Sequence, residues 1–201
     1  MNRTLAIVLG ITAVVLIVVL IVVGYGVSVY NRIVSADEGV KSGWSQVENQ
    51  YQRRYDLIPN LVETVKGFAK QEREVLEGVT NARAKVGQLT VTPEVLNNPE
   101  AFARFQAAQD GLSSALSRLM AVVENYPQLK SNENFLTLQA QLEGTENRIA
   151  VERRRFNEAV QSYNVLVRRF PSSVIAGMTG FGEAVYFKSA QGAEEPPKVQ
   201  F

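Results

Sequence analysis

From Leu5 to Val23 the chain runs 19 residues without a charge, almost all of them Ile, Val, Leu or Ala. Wound into a helix at 1.5 Å per residue, that run reaches about 28 Å, the thickness of a bilayer's hydrocarbon core. A core helix of a soluble domain rarely stays apolar on every face for five turns. The competing reading is a secretory signal, for which Arg3 would supply the basic start. Signal segments are normally only about 7–15 apolar residues long, and they end in a small-residue cleavage site. The exit here, Gly24-Tyr25-Gly26-Val27-Ser28-Val29-Tyr30, offers none. The sequence therefore predicts a short N-terminal tail (1–4) and an uncleaved transmembrane helix (5–29) marked by Leu5, Ile11, Leu16, Val23 and Tyr25. Tyr25 and Tyr30 fall where aromatic rings favour the water–lipid boundary. The lipid bilayer is the first expected partner.

Beyond the anchor lies one domain's worth of chain. Of the 21 Lys and Arg residues one, Arg3, precedes the anchor, and the rest balance the 20 Asp and Glu. A nucleic-acid binder needs a net basic face, so no nucleic acid is expected. Bulk charge would not hold the domain to anionic lipid either. Cysteine and histidine are both absent. Disulfides and thiol chemistry are excluded, and so are the commonest metal ligand and the best proton carrier near neutral pH. No cofactor, metal or catalytic residue is expected.

In this domain the helical period dominates. Val40, Trp44, Val47, Tyr51, Tyr55, Ile58, Val62, Val65, Ala69, Leu76, Val79 and Val86 keep mostly three- and four-residue steps, one face of a helix meeting a partner. Pro59 predicts a kink rather than an end, because the stripe continues past it. This first helix is expected to fade near Gly87, with a loop around Thr90-Val91-Thr92-Pro93. Asn98-Pro99-Glu100 is a helix start: a capping side chain, Pro at the first position, and an acid at the positive dipole end. The second helix carries Phe102, Phe105, Leu112, Leu116, Leu119 and Val123 and closes at Tyr126-Pro127. Asn132 caps a third, whose face runs Phe135, Leu138, Leu142, Ile149, Phe156, Val160, Tyr163 and Val167 to a stop at Pro171.

The predicted fold is all-α: a transmembrane helix continuing into an antiparallel three- or four-helix bundle (30–171), then an irregular tail (172–201). In that tail Ser172–Ala176 predicts a short helical turn, broken by Gly177, Gly180 and Gly182. Residues 193–198 read as an extended strap or a disordered terminus. Trp44 lies on the apolar stripe, so core packing is the default and a membrane-side interface anchor is the alternative. Asn49, Asn60, Asn147 and Asn164 are candidates for buried register-setting groups, most of them expected to be exposed.

Two Arg-rich stretches stand out, Arg53-Arg54 and Arg153-Arg154-Arg155. As forks they suit phosphate. As neighbours of Glu146, Glu152 and Glu158 they suit ordinary helix ion pairs, Glu152–Arg155, Arg155–Glu158 and Arg154–Glu158, and that reading is preferred.

Long blocks of the chain resemble the LemA family. They are Tyr30-Asn31-Arg32-Ile33-Val34, Trp44 to Arg54, Asp56-Leu57-Ile58-Pro59-Asn60-Leu61-Val62-Glu63-Thr64-Val65-Lys66-Gly67, Glu143 to Ala150, Arg153 to Val160, Tyr163-Asn164, Phe170-Pro171-Ser172, Tyr186-Phe187 and Pro197-Lys198-Val199. The resemblance implies a bacterial, membrane-anchored helical bundle with no established enzymatic activity. A magnetosome-associated branch of that family is linked to membrane formation. Some relatives carry a lipoprotein Cys before the Tyr-Asn motif. This chain lacks it, so a spanning helix is expected to replace the lipid. Location in the bacterial inner membrane is implied, with a periplasmic or extracellular bundle slightly favoured over a cytoplasmic one.

The functional expectation is a non-catalytic scaffold that self-assembles as a homo-oligomer at the bilayer surface. Ile175, Met178, Phe181 and Phe187 are its expected protomer or membrane contacts, with folding back onto the chain's own bundle as the alternative for this tail. An adaptor for a membrane-protein partner, such as a protease or signalling kinase, would instead use an exposed patch at Arg53, Arg54 and Arg153.

Overall fold

In the computed structural model the described residues are 3–89 and 93–188. All the regular structure among them is helical. The first helix, α1 (Arg3–Phe68), runs 66 residues without a break. At 1.5 Å per residue that is about 99 Å, so one rod includes both the expected anchor and a helix of the bundle. From Ile7 to Val23 its large apolar side chains are exposed, including Ile11, Leu16 and Val23; Tyr25 is exposed as well. From Val29 outward, burial recurs at Ile33, Val40, Trp44, Val47, Tyr51, Ile58, Leu61 and Val65. The helix passes through Pro59, whose side chain is exposed.

It does not reach Gly87. The chain turns at Ala69–Glu72 and reverses into α2 (Arg73–Gly87). The stripe carries no sign of this turn, because Ala69, Leu76 and Val79 remain buried on both sides of it. A straight continuation would carry them past the end of their partners. Folding back returns them to Ile58, Val65, Leu112 and Leu116. The turn's backbone is satisfied locally: the Ala69 N–H donates to Val65 O (2.9 Å) and the Glu72 N–H to Ala69 O (3.1 Å). Across the bundle the Tyr126 hydroxyl donates to Glu72 (2.7 Å).

A 3₁₀ turn (Pro93–Asn97) leads into α3 (Pro99–Val123). Its start is as expected: the Asn98 side chain accepts from the Glu100 and Ala101 amides, both at 3.1 Å. After the short α4 (Pro127–Lys130), Asn132 caps α5 (Glu133–Arg168) by accepting from the Phe135 N–H at 3.0 Å. α1, α2, α3 and α5 alternate in direction, giving an up-down-up-down bundle. α1 and α5 make its most extensive pairing. They approach closely at Gly43, where an added Cβ would lie 3.5 Å from Phe156 Cα.

The core has two parts. Far from the anchor it is mostly aliphatic, with Ile58, Leu61, Leu112, Leu119, Leu129 and Phe135. Near the anchor it is aromatic, built on Trp44. The indole stacks on Phe187 (6.0 Å between centroids, 19° between planes) and meets Phe105 edge-on at 5.3 Å. Trp44 is thus a core residue and not an interface anchor.

Candidate functional site

The expected site residues fall into three different environments. Arg53 is exposed on α1, while its neighbour Arg54 is only 1% exposed and lies between the two halves of the core. The guanidinium of Arg54 donates through Nη1 to Ser113 Oγ (2.7 Å) and Glu146 Oε1 (2.9 Å). Through Nη2 it reaches the backbone and side-chain oxygens of Gln109. One side chain therefore ties α1, α3 and α5 together in a polar layer. A buried cation is tolerated only with such pairing. The expected docking patch at Arg53, Arg54 and Arg153 is corrected accordingly, since Arg54 does not face solvent. Its spacing carried the signal: Val47, Tyr51, Arg54 and Ile58 keep the four-three-four step of the buried stripe.

Beside it the Tyr51 hydroxyl is buried without a partner, as is Arg54 Nε. Burial disfavours the phenolate and pushes the Tyr51 pKa up to about 12; the Arg153 and Arg54 charges oppose the shift.

Arg153 is half-buried. Its guanidinium lies 4.5 Å from the Phe187 ring centroid and 3.6 Å from Asp110. It closes over the end of the aromatic cluster. On α5, Glu152–Arg155 (2.8 Å) and Arg154–Glu158 (3.9 Å) form two of the three expected helix ion pairs; Arg155 is paired with Glu152 and not with Glu158. Among the described residues no group of three or more Asp or Glu side chains converges on a metal-sized site.

The third environment is the C-terminal segment. α6 (Ser172–Thr179) ends at Gly180, whose φ of 80° is the left-handed conformation that favours glycine. Residues 181–188 then return along the bundle as an extended strap, so the fold-back alternative describes this part of the tail. Phe187 is buried in the aromatic core and Phe181 is half-buried against Tyr30, their rings 6.1 Å apart. Phe187 is therefore corrected from an exposed contact to a core residue. Ile175 is half-buried and Met178 is 82% exposed.

Side-chain amides hold the strap, each pairing with both backbone groups of one residue. Asn164 donates to Ala184 O and accepts from Ala184 N–H, both at 2.9 Å. Asn157 does the same to Phe187 at 3.0 and 2.9 Å. Gln106, on α3, does so to Lys188 at 3.0 and 3.2 Å. The Tyr163 hydroxyl adds a bond to Gly182 O (2.8 Å). The spacing has a simple cause. Seven residues of helix from Asn157 to Asn164 rise about 10.5 Å. Three residues of extended chain from Ala184 to Phe187 cover about 10 Å. The two repeats are commensurate, so both forks close without strain. Of the four candidate asparagines, Asn164 is the buried one; Asn49, Asn60 and Asn147 are exposed. Asn157 escapes a reading from sequence, though its seven-residue offset from Asn164 places it on the same face. The expectation for 193–198 lies outside the described residues, as do most of the 90–93 loop and the Leu5 side chain.

Comparison with known proteins adds two findings. The sequence model of the LemA family matches residues 43–201. Similar curated proteins include Magnetosome protein MamQ 2 and Magnetosome protein MamQ 1 of Paramagnetospirillum magneticum, and Magnetosome protein MamQ of Magnetospirillum gryphiswaldense. Each is 29% identical to this chain over an alignment that spans 83% of it and 67% of the relative.

Proposed function

The chain belongs to the LemA family, and on that footing we propose that it is a single-pass membrane scaffold whose bundles self-assemble at the bilayer surface, with no reaction of their own. The observation that carries the reading is the unbroken α1. The helix that would cross the lipid is also the central pairing partner inside the bundle. With no loop between them, every copy stands on the membrane at the same height. Copies confined to two dimensions also have a raised effective concentration, so weak lateral contacts add up. Similarity to magnetosome proteins supports a role in organising membrane. The lack of His and Cys supports a structural rather than a catalytic one.

The test is crosslinking of the full chain in native membranes, then mass measurement of the protein in lipid nanodiscs. Ladders of self-adducts and particles holding several copies are the expected result. Strictly single copies would overturn the scaffold. A single recurring foreign partner would replace it with an adaptor.

A further inference from the structure

Two uncharged stretches, far apart in sequence, end at the same level of this molecule. On α1 no charged residue stands between Arg3 and Arg32. In the C-terminal part none stands between Arg169 and Glu183, a stretch that includes all of α6. The α1–α5 pairing fixes their relative heights. Gly43 lies against Phe156, and Gln50 accepts from Arg148 Nε at 3.3 Å. Carried on in that antiparallel register, the end of α5 at Arg168 comes level with Tyr30 and Asn31. The next turn and α6 therefore lie on the anchor side of that level. Packing agrees: Ala176 is buried in the cluster that holds Val29 and Ile33. Val29 stands six residues, about 9 Å, above the last residue of the apolar run. The headgroup layer that flanks the hydrocarbon core is about 5–8 Å deep on each side, so Val29 stands at its outer edge and α6, on the anchor side of that level, reaches into it.

α6 presents an apolar face there that its own bundle does not cover. Val174 and Met178, four apart on the helix, are 53% and 82% exposed, and Phe170, just ahead of it, is 78% exposed. Ala176 and Ile175 face the bundle instead. Exposed Tyr25, Val27 and Tyr30 on α1 continue the apolar surface toward the anchor. At its upper edge stand the exposed side chains of Arg32, Arg168 and Arg169, with Glu183 3.7 Å from Arg168. Apolar side chains below and guanidinium groups above are the two halves of an interfacial membrane contact.

We propose that α6 is a second attachment to the lipid, a helix lying in the headgroup layer with Phe170, Val174 and Met178 directed into the acyl boundary. The proposal rests on α1 being the membrane anchor. It assigns the exposed face of α6 to lipid of the same bilayer and not to another protein. Mechanically, α1 alone would let the bundle spin about its own axis, and a contact beside it stops that rotation.

The chain has no cysteine, so single introduced thiols report without background. Met178→Cys and Val174→Cys, both at exposed positions, are labelled with an environment-sensitive fluorophore in the full chain, reconstituted into phosphatidylcholine–phosphatidylglycerol vesicles. Lys70→Cys, at the far turn, and Leu16→Cys, inside the anchor, are the references. The expected result at 174 and 178 is blue-shifted emission, severalfold quenching by lipid bearing a shallow nitroxide, and protection from aqueous iodide. Lys70 should show the reverse, and Leu16 should respond to a deep nitroxide. Water-like emission at 174 and 178 beside a lipid-quenched Leu16 overturns the proposal and leaves the anchor standing. Blue-shifted emission without nitroxide quenching assigns the face to another protein copy and also overturns it. If Leu16 itself escapes the deep nitroxide, the anchor fails and this proposal with it.

Discussion

Deleting the Arg54 side chain and replacing it with an apolar one of similar length are different experiments. Arg54→Ala leaves Gln109 unpaired in the interior, leaves Glu146 without its cation, and opens a void between the two halves of the core. Breaking a buried pair costs about 3–5 kcal/mol, and Glu146, being partly exposed, recovers some hydration, so a loss of about 3 kcal/mol is expected. Arg54→Met refills most of the volume and removes the buried charge, and should lose about half as much. Chemical denaturation of the detergent-solubilised protein separates the two. Equal stability in both variants and the parent would show that the polar layer contributes nothing. From sequence the residue was half legible. Its step in the apolar stripe pointed inward, while its charge and its neighbour Arg53 pointed outward. Only a partner set drawn from α3 and α5 resolves the conflict, and such distant pairings leave no trace in local pattern.

At the scale of elements, the strap is the part that sequence could not supply. α3 and α5 were readable because a capping Asn and a period near 3.6 are both local signals, and the structure bears out both caps. The turn at Ala69–Glu72 was not, since the apolar stripe crosses it unchanged. Residues 181–188 have no periodicity to read, because side-chain amides, and at Val185 the Leu96 carbonyl, satisfy their backbone in place of a neighbouring strand. That arrangement makes a specific prediction. Asn164→Ala strands both the N–H and the C=O of Ala184, a cost of about 1–3 kcal/mol. Hydrogen exchange of the Ala184 amide should accelerate roughly tenfold to a hundredfold, at about 1.4 kcal/mol per factor of ten. The far core around Leu119 and Leu129 should keep its protection. Uniform acceleration across the bundle would mean instead that the strap and the core open as one unit.

For the whole molecule, the joint between span and bundle decides how the domain can move. Trp44 is the only tryptophan and is fixed in the aromatic core, so its polarised emission tracks the bundle. In vesicles the parent should retain residual anisotropy throughout the fluorescence lifetime. Inserting four glycines between Val27 and Ser28 should lower that residual anisotropy without abolishing it, because α6 still holds the bundle to the lipid, with little change in thermal stability. Decay to zero would show that α1 alone orients the bundle, and an unchanged residual that α1 contributes nothing to it. The same continuity sets an order on biogenesis. A ribosome delivers α1 well before its main partner α5. Until α5 arrives, the outer half of α1 waits beside the lipid with its inward stripe uncovered. On the proposed reading of α1 as the span, such a chain completes its tertiary structure only after its address has been fixed.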